Sequence, residues 1–277
     1  MDIADTRKCN LWNLDRLADY LAIAPDVLRG YYDEISEDAG FLAGINARLK
    51  KVREEYGFIK AIFAREKIES ADWFAFERIL IYVLVRHLKP ETVLETGVYY
   101  GGNTSFLLAG LHRNGKGRLV SIDLPDSAIR AGASAGAAPR HPLVGDSELY
   151  QPTLKPGFII PDYLKEHWDF VEGNSLEVIP TRLETFDLYL HDSDHSMEFL
   201  TAELDAAWPR LSPAATIVVD DIDWSNAFFS FCVNHRLSPV LFTDNGKDNL
   251  RVRSGVVKID HPRNRERAFT GAGAVSA

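Results

Sequence analysis

The chain has 277 residues, 46% hydrophobic and 26% charged, enough apolar side chain to bury one large core or a core with an appended helical segment. A formal net charge of -9 argues against nucleic acid, because a polyanion is normally gripped by a basic face that releases counterions. Only Cys9 and Cys232 are present, far apart in sequence, so neither a disulfide framework nor a thiolate metal knuckle can form and a reducing, cytoplasmic setting is expected.

The acidic start Met1-Asp2-Ile3-Ala4-Asp5 leads into no apolar signal core. The longest aliphatic run, Ile79-Leu80-Ile81-Tyr82-Val83-Leu84-Val85, is far shorter than a bilayer span, so secretion and membrane insertion are not expected. Residues 1–90 read as a helical N-terminal extension, with apolar side chains at helical spacing over 13–23, 25–34 and 71–87. The apolar stretch 74–85 suits packing on the chain's own sheet, and a homo-oligomer in which it lies between subunits is the other option.

From Glu91 short β-branched runs alternate with helix-like segments, the texture of βαβ crossovers. Strands are expected at 92–96, 118–123, 169–171, 187–191, 216–220, 239–243 and 255–259. The fold class that follows is α/β, a doubly wound, mainly parallel, seven-stranded Rossmann-like sheet filling residues 91–263. Within it, 127–161 is rich in Gly, Ala and Pro around Ala131-Gly132-Ala133-Ser134-Ala135-Gly136, which reads either as a lid beside the site or as an uninvolved insertion. Residues 264–277 read as a flexible tail.

In open parallel sheets ligands sit beyond the carboxyl ends of the strands where strand order reverses, and the first strand-to-helix turn lies there. Here it is Glu95-Thr96-Gly97-Val98-Tyr99-Tyr100-Gly101-Gly102. Glycines let backbone approach a ligand closely, and Asn103 and Thr104, opening the next helix, offer donors to a carboxylate. Glu95, at the strand end, is positioned for an ammonium group. A glycine turn alone is equally a mere connection, but the spacing is not G-x-G-x-x-G, which counts against a nicotinamide dehydrogenase. The next strand ends at Asp123, about twenty residues on, where an acid can accept ribose hydroxyls.

Two later strand ends carry acids. Asp187-Leu188-Tyr189-Leu190-His191-Asp192-Ser193-Asp194-His195 delivers Asp192, Asp194 and His195 to the carboxyl edge, and Ile217-Val218-Val219-Asp220-Asp221-Ile222-Asp223 delivers Asp220, Asp221 and Asp223. On neighbouring strands these carboxylates converge, and like charges that close call for a proton or a cation. An all-oxygen set without thiolates suits Mg2+ better than Zn2+. His195 could take a proton near neutral pH. The plainer alternative is that Asp194, Ser193 or Asp223 caps a helix.

With these motifs in hand, the chain resembles class I S-adenosylmethionine-dependent methyltransferases, and within them the metal-dependent O-methyltransferases of the catechol and macrolide-sugar types. Glu95-Thr96-Gly97-Val98-Tyr99-Tyr100-Gly101 resembles the family's E-x-G-x-x-x-G loop. His191-Asp192-Ser193-Asp194-His195-Ser196-Met197-Glu198 is similar to its D-G-D-H-S-Y-E signature, with Ser193 for glycine and Met197 for tyrosine. The resemblance implies that Glu95, Gly97, Tyr99 and Asn103 surround the methionine part of S-adenosyl-L-methionine, with Gly101 and Thr104 of the same turn and helix start also counted as cofactor-binding. It also implies that Asp123 holds the ribose, Asn174 and Ser175 meet adenine, and Asp192, Asp220 and Asp221 hold the metal. His195, with Asp192 beside it, would then deprotonate a hydroxylated small-molecule acceptor. A metal-free methyltransferase acting on nitrogen or carbon, and a non-catalytic binding protein of the same fold, remain as alternatives.

Overall fold

The structure is a computed structural model and describes residues 3–56, 67–69, 73–124, 155–245 and 250–264. The expected insertion at 127–161 therefore lies outside the described residues except for 155–161, and the expected tail except for Asn264.

Seven strands form one sheet: β1 Thr92–Thr96, β2 Arg118–Asp123, β3 Trp168–Glu172, β4 Phe186–His191, β5 Leu211–Val219, β6 Val240–Asn245 and β7 Leu250–Lys258. Their order is β3-β2-β1-β4-β5-β7-β6. The first five are parallel, while β7 runs antiparallel to both β5 and β6. This is the doubly wound, mainly parallel sheet expected, with the strand order reversing between β1 and β4. Strands β5 and β7 each begin five residues earlier than their apolar runs, at Leu211 and Leu250. In β5 the extra residues include Pro213, and the pairing with β4 shifts register between Phe186 and Leu188. A β-branched pattern marks the buried part of a strand and is silent about a part ordered by its neighbours.

Side-chain alternation along the strands assigns the two layers. Val93, Leu188, Leu190, Val218 and Val256 join a core on one face, and their neighbours Leu94, Tyr189, Ile217, Val219 and Val257 join a second core on the other. The first face carries α1 Ile3–Leu21, α2 Pro25–Ser36, α3 Ala39–Tyr56, α4 Phe76–Leu88 and α5 Gly102–Asn114. The second carries the short α6 Ser175–Val178, α7 Met197–Ala207 and α8 Ala227–Asn234.

Helix α4 is apolar nearly all round and every residue from Ile79 to Val85 is buried, as a helix trapped between a sheet and other helices must be. It packs on the chain's own sheet, in the same core as Val93 and Leu188. The N-terminal helices are tied to the far edge of the sheet as well. Asn13 donates to the carbonyl of Thr243 (2.8 Å), and Tyr20 donates to the carbonyl of Ser238 while accepting from the N–H of Lys258, both 3.0 Å. Among the described residues no helix is long and apolar enough to cross a membrane.

Candidate functional site

Strand β1 runs into the turn 97–101, and the backbone there is dictated by neighbouring chain. Gly97 has φ +83°, and a Cβ on it would lie 1.9 Å from the backbone oxygen of Asp192, at the end of the adjacent β4. Only glycine permits so close an approach, so the turn and the first acid of the later motif are in direct contact. Tyr99 also has a positive φ, +51°. Two N–H groups of this turn, those of Val98 and Tyr99, are bound by Asp123 Oδ2 at 3.0 and 2.8 Å, while Oδ1 accepts from Leu124. Asp123 is thus beside the Gly97 bend as expected, and it buttresses the turn.

Residues 155–161 pack directly onto the same turn. The N–H of Gly157 binds the carbonyl of Tyr99 at 2.8 Å, that of Ile159 binds the carbonyl of Tyr100 at 3.2 Å, and Ile159 and Ile160 are fully buried.

Glu95 is completely buried, and both of its carboxylate oxygens accept from Thr104 (3.0 Å each) while Ser121 adds a further bond. Burial raises its pKa to about 8, with the charge of Asp123 adding to the effect against the hydroxyl donors. Thr104 therefore serves Glu95 in this structure, and neither side chain is presented to solvent. Asn103 points the other way. Its Nδ2 donates to Asp192 Oδ2 at 2.8 Å, and its Oδ1 is buried with no hydrogen-bond partner.

Asn174 caps α6, its side chain accepting from the N–H of Leu176 at 3.1 Å, so the cap is Asn174 and Ser175 is the first helical residue. The Ser175 hydroxyl goes to Glu203, in α7. Glu203 is fully buried and gathers His191, Ser193, Thr96 and Tyr189 as well. Burial would push its pKa up, but the His191 charge and these donors outweigh that and hold the carboxyl below its ordinary value. This polar knot, invisible in a linear reading, fixes the end of β4 where Asp192 begins.

At the ends of β4 and β5 the acids meet. Burial, followed by the charges of Asp220, Glu77 and Asp221, pushes the Asp192 carboxyl far above the usual range. Burial, Glu77 and Asp221 do the same to Asp220, against the pull of Arg253. Asp221 takes a left-handed backbone, φ +47°. His195 is 5% exposed, with Nε2 3.8 Å from both Asp192 Oδ1 and Asp221 Oδ2, beyond hydrogen-bond length but inside ion-pair range. Its ring meets the edge of His191 at 5.4 Å and lies 5.7 Å from Trp224.

The capping alternatives resolve by geometry. Ser196 is the N-cap of α7 and Asp194 holds the preceding turn through the N–H of Ser196, at 2.8 Å. Asn226 is the residue at the start of α8, so Asp223 is no cap.

Three members of the site carry no motif signal. Glu77, near the start of α4, adds a fourth carboxylate, and Arg253 of β7 lies 2.8 Å from Asp221, 3.6 Å from Glu77 and 3.8 Å from Asp220. Arg78 hydrogen-bonds the Tyr100 hydroxyl at 2.8 Å and stacks on Trp73. Among the described residues the oxygens of Asp192, Asp220 and Asp221 do not form a closed metal-sized cluster, whereas His112, Glu166 and His167 do.

The sequence pattern of a methyltransferase domain matches residues 94–222, from β1 to just past the second acid pair. No curated protein matches the chain. Among solved structures it is similar to the O-methyltransferase TomG from Streptomyces achromogenes in complex with SAM, at 14% identity over 77% of this chain and 89% of that one, TM-score 0.49. It is similar also to an O-methyltransferase from Bacillus cereus in complex with SAH, at 14% identity over 83% and 99%, TM-score 0.49. Cofactor-bound Rv0187 from MTB gives 16% identity over 80% and 90%, TM-score 0.48. The matched segment contains the glycine turn, Asp123, Asp192 and Asp220, so residues 94–222 are similar in sequence to a methyltransferase domain.

Proposed function

We propose that this enzyme methylates a hydroxyl of a small or medium-sized metabolite in the cytoplasm, using S-adenosyl-L-methionine with help from Mg2+. The observation that carries the reading is the contact between cofactor turn and acid cluster: Asn103, opening α5, donates to Asp192, and the Gly97 backbone lies against that residue's carbonyl. A methyl donor lodged at the turn and an acceptor lodged at the acids would then be neighbours, and rate enhancement comes chiefly from holding them in line.

In this reading Gly97, Tyr99, Gly101 and Asn103 enclose the methionine portion, and the unpartnered Asn103 Oδ1 is a ready acceptor for its ammonium group. Glu95 and Thr104 would act behind them as a buried pair. Asp123 would hold the ribose with whichever lone pairs the turn leaves, and Asn174 and Ser175 would border the adenine. S-adenosyl-L-methionine supplies an electrophilic methyl on a sulfonium centre.

For Mg2+ the donor chemistry fits. Asp192, Asp220 and Asp221 are hard oxygen donors at adjoining strand ends, and the raised carboxyl pKa values mark a charge cluster short of cations. A bound ion would lower the pKa of an acceptor hydroxyl. His195, packed between Asp192, Asp221 and Trp224, would receive the proton, with the carboxylates stabilising the imidazolium.

A second reading keeps the methyl transfer and drops the ion. It is favoured by Arg253, whose guanidinium already sits against Asp221. Thermal-shift and calorimetric titrations with S-adenosylmethionine and S-adenosylhomocysteine, each with Mg2+ or excess chelator, separate these readings. Both cofactor forms are expected to bind in either condition, and release of S-adenosylhomocysteine in a screen of hydroxylated acceptors is expected only with Mg2+. Turnover undiminished in chelator selects the metal-free reading. Absence of cofactor binding at millimolar concentration would leave a non-catalytic protein.

A further inference from the structure

On the side of the molecule away from the acid cluster, the last turn of α5 faces the 3-10 segment Asp162–His167 that leads into β3. Three side chains meet there. His112 Nδ1 lies 3.2 Å from Glu166 Oε1, His167 Nε2 lies 3.6 Å from the same oxygen, and one donor atom from each residue falls within 4.8 Å of the others. We propose that His112, Glu166 and His167 form a binding site for a borderline-soft divalent ion of the Zn2+ class, which would clip the end of α5 to the entrance of β3.

The arrangement has features a chance cluster lacks. The Nδ1 of His167 is 2.9 Å from the carbonyl oxygen of Gly117, which can only accept, so that nitrogen carries a proton and, in the neutral ring, Nε2 offers its lone pair to the cluster. Backbone orientation of the far ring nitrogen is the usual way a ligating imidazole is fixed in tautomer and direction. The neighbouring cations are engaged with other acids: Arg113 with Asp38 at 2.6 Å, and Lys165 with Asp162 at 2.7 Å. Glu166 itself lies 3.2 and 3.6 Å from the two imidazoles.

Two imidazoles and one carboxylate form the donor set of open three-ligand zinc sites, and nitrogen donors select against Mg2+ and Ca2+. The side chains of His112 and Glu166 are 41% and 63% exposed, which gives the ion a path in and leaves a fourth position for water.

The test uses the full chain stripped with chelator and titrated with Zn2+ in competition with a chromophoric chelator, and separately with Co2+ read by its visible absorption. One tight Zn2+ per chain is expected, with a rise of several degrees in melting temperature and Co2+ bands indicating nitrogen ligation. His112→Ala and Glu166→Gln, both at exposed positions, should each weaken binding at least tenfold. The double variant Asp192→Asn, Asp220→Asn, which disables the other acidic site, should bind Zn2+ as the wild type does. Absence of stoichiometric binding, or affinity unchanged in His112→Ala and Glu166→Gln, overturns the proposal.

Discussion

At the scale of single residues, the acids of this protein are kept at a cost to its stability. Asp192 and Asp220 sit in one another's field with Glu77 close by, and each resists ionisation. Replacing either by alanine is expected to abolish methyl transfer while changing S-adenosylmethionine affinity by less than a few-fold, since Asn103 and the glycine turn remain; calorimetric binding beside a turnover assay checks this. Glu95 gives a pH signature. Its pKa is about 8 in the fold against 4.5 unfolded, so between these values the native state holds a proton that the unfolded chain has lost. Its stabilising contribution is complete below about pH 4.5 and declines as pH rises toward 8, by an amount on the order of 2–4 kcal/mol. Glu95→Gln removes that decline, so the stability of the variant relative to wild type, without ligand, is expected to improve from pH 5 to pH 8 in denaturant titrations. An offset that stays constant with pH would contradict the assigned protonation.

At the scale of elements, the packing of α4 on α5 is set by Gly110. A Cβ there would lie 2.7 Å from Val85 Cγ1 and 2.9 Å from Val85 Cβ. Glycine inside a helix ordinarily costs about 1 kcal/mol relative to alanine. Here Gly110→Ala is expected to destabilise by about 1–3 kcal/mol, because overpacking two buried helices outweighs the gain in propensity. Because α5 begins at the glycine turn proposed to hold the cofactor, the same substitution should also weaken S-adenosylmethionine binding; chemical denaturation and a binding titration read the two effects separately. The element scale also shows why the site was only half legible. Each acid that ends a strand was readable from its own sequence, as β-branched residues followed by Asp. The partners that tune those acids were not, because Glu77 stands on α4, Arg253 on β7 and Glu203 on α7, and no local pattern distinguishes them from ordinary charged residues.

At the scale of the molecule, the helical N-terminal region is part of the main core. Leu14, Leu17 and Leu28 share an apolar cluster with Phe76, Phe242 and Val256, and α1 is bound to the far sheet edge through Asn13 and Tyr20. Removing residues 1–36 would expose this face and leave the β6–β7 edge without its cover. The truncated chain is expected to lose cooperative unfolding or to aggregate, even though the whole matched methyltransferase segment is retained; calorimetry and light scattering would show it. A soluble, cooperatively folding truncation would mean that the region is an appended module.

The sequence by itself determined the class of fold, the existence of the seven strands and the apolar run of each, and the acids at or just past the ends of β2, β4 and β5, because these depend on short-range periodicity and on which residues end a strand. Tertiary structure alone decided the strand order, the contact of Gly97 with Asp192, and the recruitment of Glu77, Arg253 and Glu203 around the acids. It also decided that Asp123 grips the turn and that Glu95 is sealed inside with Thr104 and Ser121. The reason is physical: a buried charge is stabilised or opposed by whatever lies within a few ångströms of it, and which groups lie there is settled when distant segments pack together.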